Sequence, residues 1–402
     1  MPKLSSLLDA VKPSPTLAIT AKANAMRAEG IDVVGFGAGE PDFDTPAHIR
    51  RAAVDALDAG FTKYTPDAGI AELRDAVAAR ASADLGLRFT RDNVAVTVGG
   101  KQAIFNFLLA VLERGDEAIV PAPCWVSYPD QVTLAGGVPV FVETTAATRF
   151  VPTAGALKDA VTPRTRAIVV CSPSNPTGTA YSDDELAAVA DLARRHDLWV
   201  LSDEIYSELV FEGRHRSILH VAPDLAPRVC VATGSGKTYS MTGWRVGWAI
   251  APPAAAKAIA ILTGHTVSGA ASFAQKGALA ALTGPQDDVA ARRETFRLRR
   301  DRIVELARAV PGFSCLVPDG AFYLWVDVRG VLERRPKGIA TADAFAAHLL
   351  DDARVAVVPG GAFKAEGFVR LSFATSLERI EEGLRRIRAS VESLLGPGAP
   401  RR

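Results

Sequence analysis

The stretch VATGSGKTYSMTGWRVG, residues 231–247, holds Lys237 among small residues, with Arg245 eight positions on. A lysine in that setting suits one of two chemistries: a point charge on a nucleotide phosphate, or an amine nucleophile. The phosphate-binding loop pattern needs a glycine five residues before its Gly-Lys pair, and that position is Val231. The pattern fails, so the nucleophile reading stands if the chain supplies its partners.

Several segments supply them. LWVLSDEIY sets Asp203 directly after an apolar run, with Tyr206 three residues on. CSPSNPTG holds Asn175 in a turn rich in Pro and Gly. TVGGKQA passes through two glycines into a helical pattern, so the N–H groups of Gly100 and Lys101 face an anion at the positive helix end. Trp125, in APCWVSYP, offers a flat ring after another apolar run, and Arg245 and Arg370 offer guanidinium forks. An amine, a carboxylate, an aromatic face, a phosphate cradle and a second arginine are what a pyridoxal phosphate enzyme requires. Lys237 then forms the Schiff base, Asp203 keeps the pyridine nitrogen protonated, and Arg370 grips a substrate carboxylate.

Each residue alone has a blander reading. Asp203 is then a cap or turn residue, Asn175 a turn residue and Trp125 core or interface. Lys101 is then a solvated lysine and Arg370 half of a surface ion pair. Their joint occurrence, each at the end of an apolar run, moves the balance to the site.

The elements that must position these groups alternate. Apolar runs at 94–98, 118–120, 138–142, 167–171, 198–201, 229–232 and 246–251 read as buried strands, with helical patterns between them at 101–112 and 183–196. That alternation predicts an α/β fold with a mostly parallel sheet covered on both faces, whose ligands bind at the C-terminal strand ends. From about residue 286 the texture changes: a long arginine-rich helix at 287–310, strands at 313–317, 322–328, 355–358 and 369–373, and helices at 341–351 and 376–394. This predicts a large domain over 46–285, and a smaller α+β domain made of 286–402 with the N-terminal arm 1–45. The basic stretch at 330–340 reads as a surface loop.

Composition narrows the class. The chain has 402 residues, too many for one ordinary core, so two domains are expected. With 46 basic and 45 acidic residues, net charge is +1, which points to neither nucleic acid nor an anionic membrane as partner. The start MPKLSSLLDAVKPSPT has no long apolar segment, so no signal peptide is read, and no apolar run has the length of a membrane span. Four cysteines without a CxxC pair read as reduced thiols in a cytoplasmic protein, and six scattered histidines give no metal-ligand spacing.

With these residues set out, the chain resembles the pyridoxal phosphate-dependent fold type I aminotransferases of class I/II, nearest their aspartate/prephenate branch. The motifs that carry the resemblance are GAGEPDFDTP (37–46), KYTP (63–66), VGGKQA (98–103), SPSNPTG (172–178), SDEIY (202–206), Lys237 with MTGWRVG (241–247), GAFY (320–323) and VRLSFATS (369–376). The resemblance implies pyridoxal 5′-phosphate as cofactor and the following roles. Lys237 carries the cofactor and shuttles a proton, and Asp203 holds its ring nitrogen. Tyr206 and Asn175 bond its ring oxygen, Trp125 stacks on the ring, and Gly100, Lys101 and Arg245 bind its phosphate. Tyr64 reaches the phosphate of a neighbouring subunit, so the active unit is a homodimer. Arg370, with Asn175 and the Gly39 backbone, takes the substrate α-carboxylate. Lys101, Ser14 and Thr16 meet a distal carboxylate, which favours a dicarboxylic amino acid or prephenate.

The chain departs from that family at Cys124, where tyrosine is usual, and at Gly234, where some members place serine. The segment 262–275 carries Gly269, Ala270 and Ala271 in place of bulkier polar residues. The expected reaction is ping-pong transamination between an aspartate- or glutamate-like amino acid and a 2-oxo acid. The same machinery also serves lyases and C–C or C–N bond-forming enzymes, and a binding module that has lost catalysis is the expectation from outside enzymology.

Overall fold

The computed structural model describes residues 15–396 together with Ser5, Asp9 and Val11; the side chains of residues 15–18, 20 and 337 lie outside that description. The groups expected of Ser14 and Thr16 therefore fall outside the described residues.

After a helix at Pro15–Ala28 and a short strand β1 (Val34–Gly35), the chain builds a seven-stranded sheet. Its strands are β2 (Val94–Thr97), β3 (Glu117–Ala122), β4 (Val138–Glu143), β5 (Thr165–Cys171), β6 (Trp199–Asp203), β7 (Val229–Gly234) and β8 (Gly247–Ile250). They lie in the order β2-β8-β7-β6-β5-β3-β4. Only β8 runs against its neighbours; every other pair is parallel. Successive side chains on a strand point to opposite faces, and β5 shows the result. Ile168 and Val170 join one apolar cluster with the helices Ala71–Leu85 and Asp183–His196. Ala167 and Val169 join another with Gly100–Val111 and Pro253–Val267. Both faces are covered, which is why these strands read as continuous apolar runs. Helix Asp183–His196 begins where its sequence says: Ser182 accepts from the Glu185 N–H and Glu185 reaches back in a capping box.

A second apolar cluster system lies around the strands β9 (Ser314–Cys315), β10 (Tyr323–Asp327), β12 (Val358–Pro359) and β13 (Phe368–Ser372), an antiparallel sheet in the order β12-β13-β10-β9. The run expected as one strand at 355–358 is two. Its first part, β11 (Val355–Ala356), pairs in parallel with β1, while Val358–Pro359 pairs with β13. The 330–340 segment is not a plain surface loop either. It forms a helical turn at Arg329–Leu332 and a 3-10 turn at Pro336–Gly338, because Val331, Leu332 and Ile339 anchor in the second core. Tyr206, Leu209 and Phe211, which follow β6, also pack into that core. Among the described residues no helix is long and apolar enough to cross a membrane.

Candidate active site

The C-terminal ends of β5, β6 and β7, the start of the helix Gly100–Val111 and the inner side of β13 surround a cavity of about 480 Å³. Gly39, Gly100, Lys101, Trp125, Asn175, Asp203, Tyr206, Lys237, Arg245 and Arg370 all line it. Tyr64 does not. It is 92% exposed, on a surface hollow formed by residues 62–65 and 267–273.

Asp203 is the last residue of β6 and is buried. Its Oδ2 accepts the Tyr128 hydroxyl at 2.5 Å and its Oδ1 accepts the Ile205 N–H at 3.2 Å. No ion pair reaches it among the described residues. Burial pushes its pKa up to about 6, against the two hydrogen bonds that favour the ionised form.

Lys237 lies in the short helical turn Ser235–Thr238 that follows β7. Gly234 before it is a packing requirement, since a Cβ there would sit 2.7 Å from the Gly247 Cα. The Lys237 amine is buried and donates to the Gly39 carbonyl. Burial lowers its pKa to about 8; Glu40 opposes the shift, and Arg245 and Arg370 add to it. Near neutral pH an appreciable share of the amine is uncharged, as a nucleophile must be.

The helix Gly100–Val111 starts after Gly99, which has φ 76°. The first N–H groups of a helix have no acceptor within it, so those of Gly100 and Lys101 are free to bind an anion. A Cβ on Gly99 would come within 2.7 Å of the Arg245 guanidinium, so glycine lets that cation lie against the helix start. Arg245 itself takes a left-handed φ of 56°, a conformation that costs a non-glycine residue about 1–3 kcal/mol. Its side chain donates to the carbonyls of Thr242 and Val98 at 2.9 and 3.4 Å. The Lys101 ammonium lies 5.0 Å from the centroid of the Trp125 ring, and burial and Arg245 lower its pKa.

Arg370, on β13, is buried at 2% exposure. It donates to Asn175 Oδ1 at 2.9 Å and to the Gly37 carbonyl at 3.0 Å. Its guanidinium lies 4.3 Å from the Tyr323 ring centroid, and the Tyr323 and Tyr206 hydroxyls are 2.8 Å apart. The Arg370 Nε has no partner among the described residues.

Tyr128, Tyr323, Glu40 and Gly37 are among the lining residues not singled out from sequence. Tyr128 stands three places after Trp125, a spacing that brings the rings into edge contact at 5.2 Å. Tyr323 ends the GAFY motif, and Glu40 lies within GAGEP, where it accepts the Thr242 hydroxyl at 2.8 Å. Gly37 takes the backbone contact to Arg370, whereas the Gly39 carbonyl serves Lys237. Any role of Gly39 toward a carboxylate therefore falls to its N–H.

These groups fit pyridoxal 5′-phosphate. Asp203 is a buried carboxylate lacking a cation. The helix start with Arg245 is a cradle that a Cβ at Gly99 would fill. The Arg370 Nε is an orphaned donor beside the cavity.

Comparisons with known proteins agree. Residues 31–387 match the family model described as aminotransferase class I and II. The aspartate aminotransferase of Geobacillus stearothermophilus is 44% identical over 97% of this chain and 99% of its own. The aspartate/prephenate aminotransferase of Nitrosomonas europaea is 43% identical over 96% and 98%. Among solved structures, the Thermus thermophilus aspartate aminotransferase with maleate superposes with a TM-score of 0.92 at 44% identity, covering 97% of this chain and all of that one. Match, fold and site converge: the chain belongs to the class I and II aminotransferases, enzymes that move an amino group between amino and 2-oxo acids with pyridoxal 5′-phosphate.

Proposed function

We propose that this aminotransferase takes the amino group of aspartate, or a similar dicarboxylic amino acid, and passes it to 2-oxoglutarate by a ping-pong mechanism. The observation that carries this reading is the arrangement of a buried amine at Lys237, a buried carboxylate at Asp203 and a buried arginine at Arg370 around one cavity, with Lys101 as a further cation on its wall. The Thermus relative is named for aspartate and was solved with maleate, also a dicarboxylate.

The residues divide the work. Gly100 and Lys101 N–H groups with Arg245 would hold the phosphate, Trp125 would cover the ring face, and Tyr206 and Asn175 would bond the ring oxygen. Asp203, kept in place by Tyr128, holds the ring nitrogen's proton. Pyridoxal phosphate, when bound, supplies an electron sink for the pair left at the substrate Cα. Arg370, Asn175 and the Gly39 N–H orient the substrate α-carboxylate. Lys101, with Ser14 and Thr16, meets the distal carboxylate. The Lys237 Nζ would hold the cofactor between turnovers, and would take the substrate Cα proton and release it on the cofactor's C4′ carbon. Its burial keeps it neutral enough to accept that proton.

Tyr64 projects from its own chain at 92% exposure, which suits a side chain that completes the phosphate site of a second copy. The working unit in this reading is a cytoplasmic homodimer, each chain divided near residues 45 and 285. A spectrophotometric titration tests the substrate assignment. Aspartate should convert the cofactor's visible band to the amine form, and 2-oxoglutarate should restore it. If aspartate leaves the band unchanged while another amino acid converts it, the donor assignment fails.

A further inference from the structure

The strand that ends at Asp203 carries a second carboxylate one residue later. Glu204 is buried, and because side chains alternate it faces away from the Asp203 cavity. It lines a separate hollow of about 640 Å³ on the other side. Both its oxygens are taken. Oε1 accepts the Ser202 and Ser217 hydroxyls at 2.7 and 2.6 Å, and Oε2 meets His215 Nε2 at 2.9 Å. Its backbone ties the neighbouring strand, with its N–H on the Ala232 carbonyl at 2.9 Å and its carbonyl accepting the Thr233 hydroxyl at 3.3 Å. Ala232 and Thr233 lead directly into the turn that carries Lys237.

We propose that Glu204 is a positioning residue for the reaction: braced by Ser202, Ser217 and His215, it locks the end of β6 so that Asp203 is aimed at the cofactor's ring nitrogen, and it adds a second fixed negative charge behind that contact. The inference rests on assigning the ring nitrogen to Asp203. Burial alone opposes ionisation of Glu204, but His215 and the two serine hydroxyls overcome it and leave its pKa below the ordinary value. The carboxylate is therefore charged at neutral pH. Its charge is also among the causes that raise the Asp203 pKa, after burial. A negative pair of this kind strengthens the hold on a cation placed beside it.

The test uses the full-length enzyme with Glu204→Gln, which keeps the shape and removes the charge, and Ser217→Ala, which removes one brace. Two quantities are read: the dissociation constant of pyridoxal phosphate from the folded protein, and the pH midpoint of the bound cofactor's visible band. Removing a negative charge disfavours the protonated form, so Glu204→Gln should lower the midpoint by about one pH unit and weaken cofactor binding about tenfold. Ser217→Ala should weaken binding about fivefold. A folded Glu204→Gln protein with both quantities unchanged overturns the inference. If that variant does not fold, Ser217→Ala decides, and unchanged binding overturns it equally. Asp203→Asn separates the two assignments. If it binds and turns over normally, the Asp203 reading falls; if it is impaired while Glu204→Gln is normal, only the Glu204 inference falls.

Discussion

Tyr128 donates its hydroxyl to Oδ2 of Asp203 at 2.5 Å, with both residues buried. The bond crosses from the helix Ser127–Leu134 to the end of β6 and fixes the carboxylate in the cavity wall. It favours the ionised form that burial opposes. An Asp203 so held has its charge aimed before any cofactor arrives, and such preorganisation is where an enzyme gains most.

Tyr128→Phe keeps the ring and removes this bond. A hydrogen bond to a charged group contributes about 1.5–3 kcal/mol, so kcat/KM should fall by about tenfold to a hundredfold. Steady-state kinetics at saturating cofactor measure this. The Asp203 pKa should rise further, because the bond that stabilised the charged form is gone.

Asp203→Asn should trade activity for stability, the gain in stability being read in the cofactor-free protein. The Asp203 pKa of about 6 lies above its unfolded value near 3.8, so ionisation costs the fold about 3 kcal/mol at pH 7.5. That cost is absent below about pH 4, grows between pH 4 and 6, and is complete above. The substitution should therefore raise the apo-protein's Tm at pH 7.5 and change it little near pH 4, while turnover drops by orders of magnitude. Thermal unfolding at the two pH values checks the sign.

Arg370→Lys should raise KM by about tenfold or more, because one ammonium cannot reproduce the planar fork that now reaches both Asn175 and Gly37. An unchanged KM for every amino donor would move the α-carboxylate contact elsewhere.

Lys101→Ala should weaken aspartate more than alanine as donor. The ammonium lies over Trp125 at the cavity wall, where a distal carboxylate would pair with it. Lys101 is exposed, so solvent screens the pair and it contributes about 0.5–1 kcal/mol, or roughly twofold to fivefold in kcat/KM. Equal losses for both donors would remove the role.

Much of this site was legible in the sequence. The strands of the parallel sheet are short, apolar runs because both faces are covered; Asp203 ends one, and Asn175 and Lys237 each lie just past another. Gly100, Lys101 and Arg245 read as a phosphate-binding set from type and spacing, and the fold brings all three to one cavity wall. What did not read was tertiary. Nothing local tells that Tyr128 crosses to Asp203, 75 positions away, or that the carbonyl of Gly37, 333 positions away, meets Arg370. The split of 355–358 between two sheets depends on β1, over 300 residues earlier. The 330–340 stretch looked solvated from its charges, yet its few apolar residues decided its place in the core.

The central claim is that Lys237, and no other lysine, carries the cofactor. Borohydride reduction of the purified enzyme fixes the cofactor to the amine that holds it, and peptide mass spectrometry then names the residue. The account predicts the pyridoxyl group on Lys237 alone, with Lys237→Ala losing both the visible band and turnover. Reduction that labels Lys101 or any other lysine, or a Lys237→Ala protein that keeps its band and its activity, would contradict it.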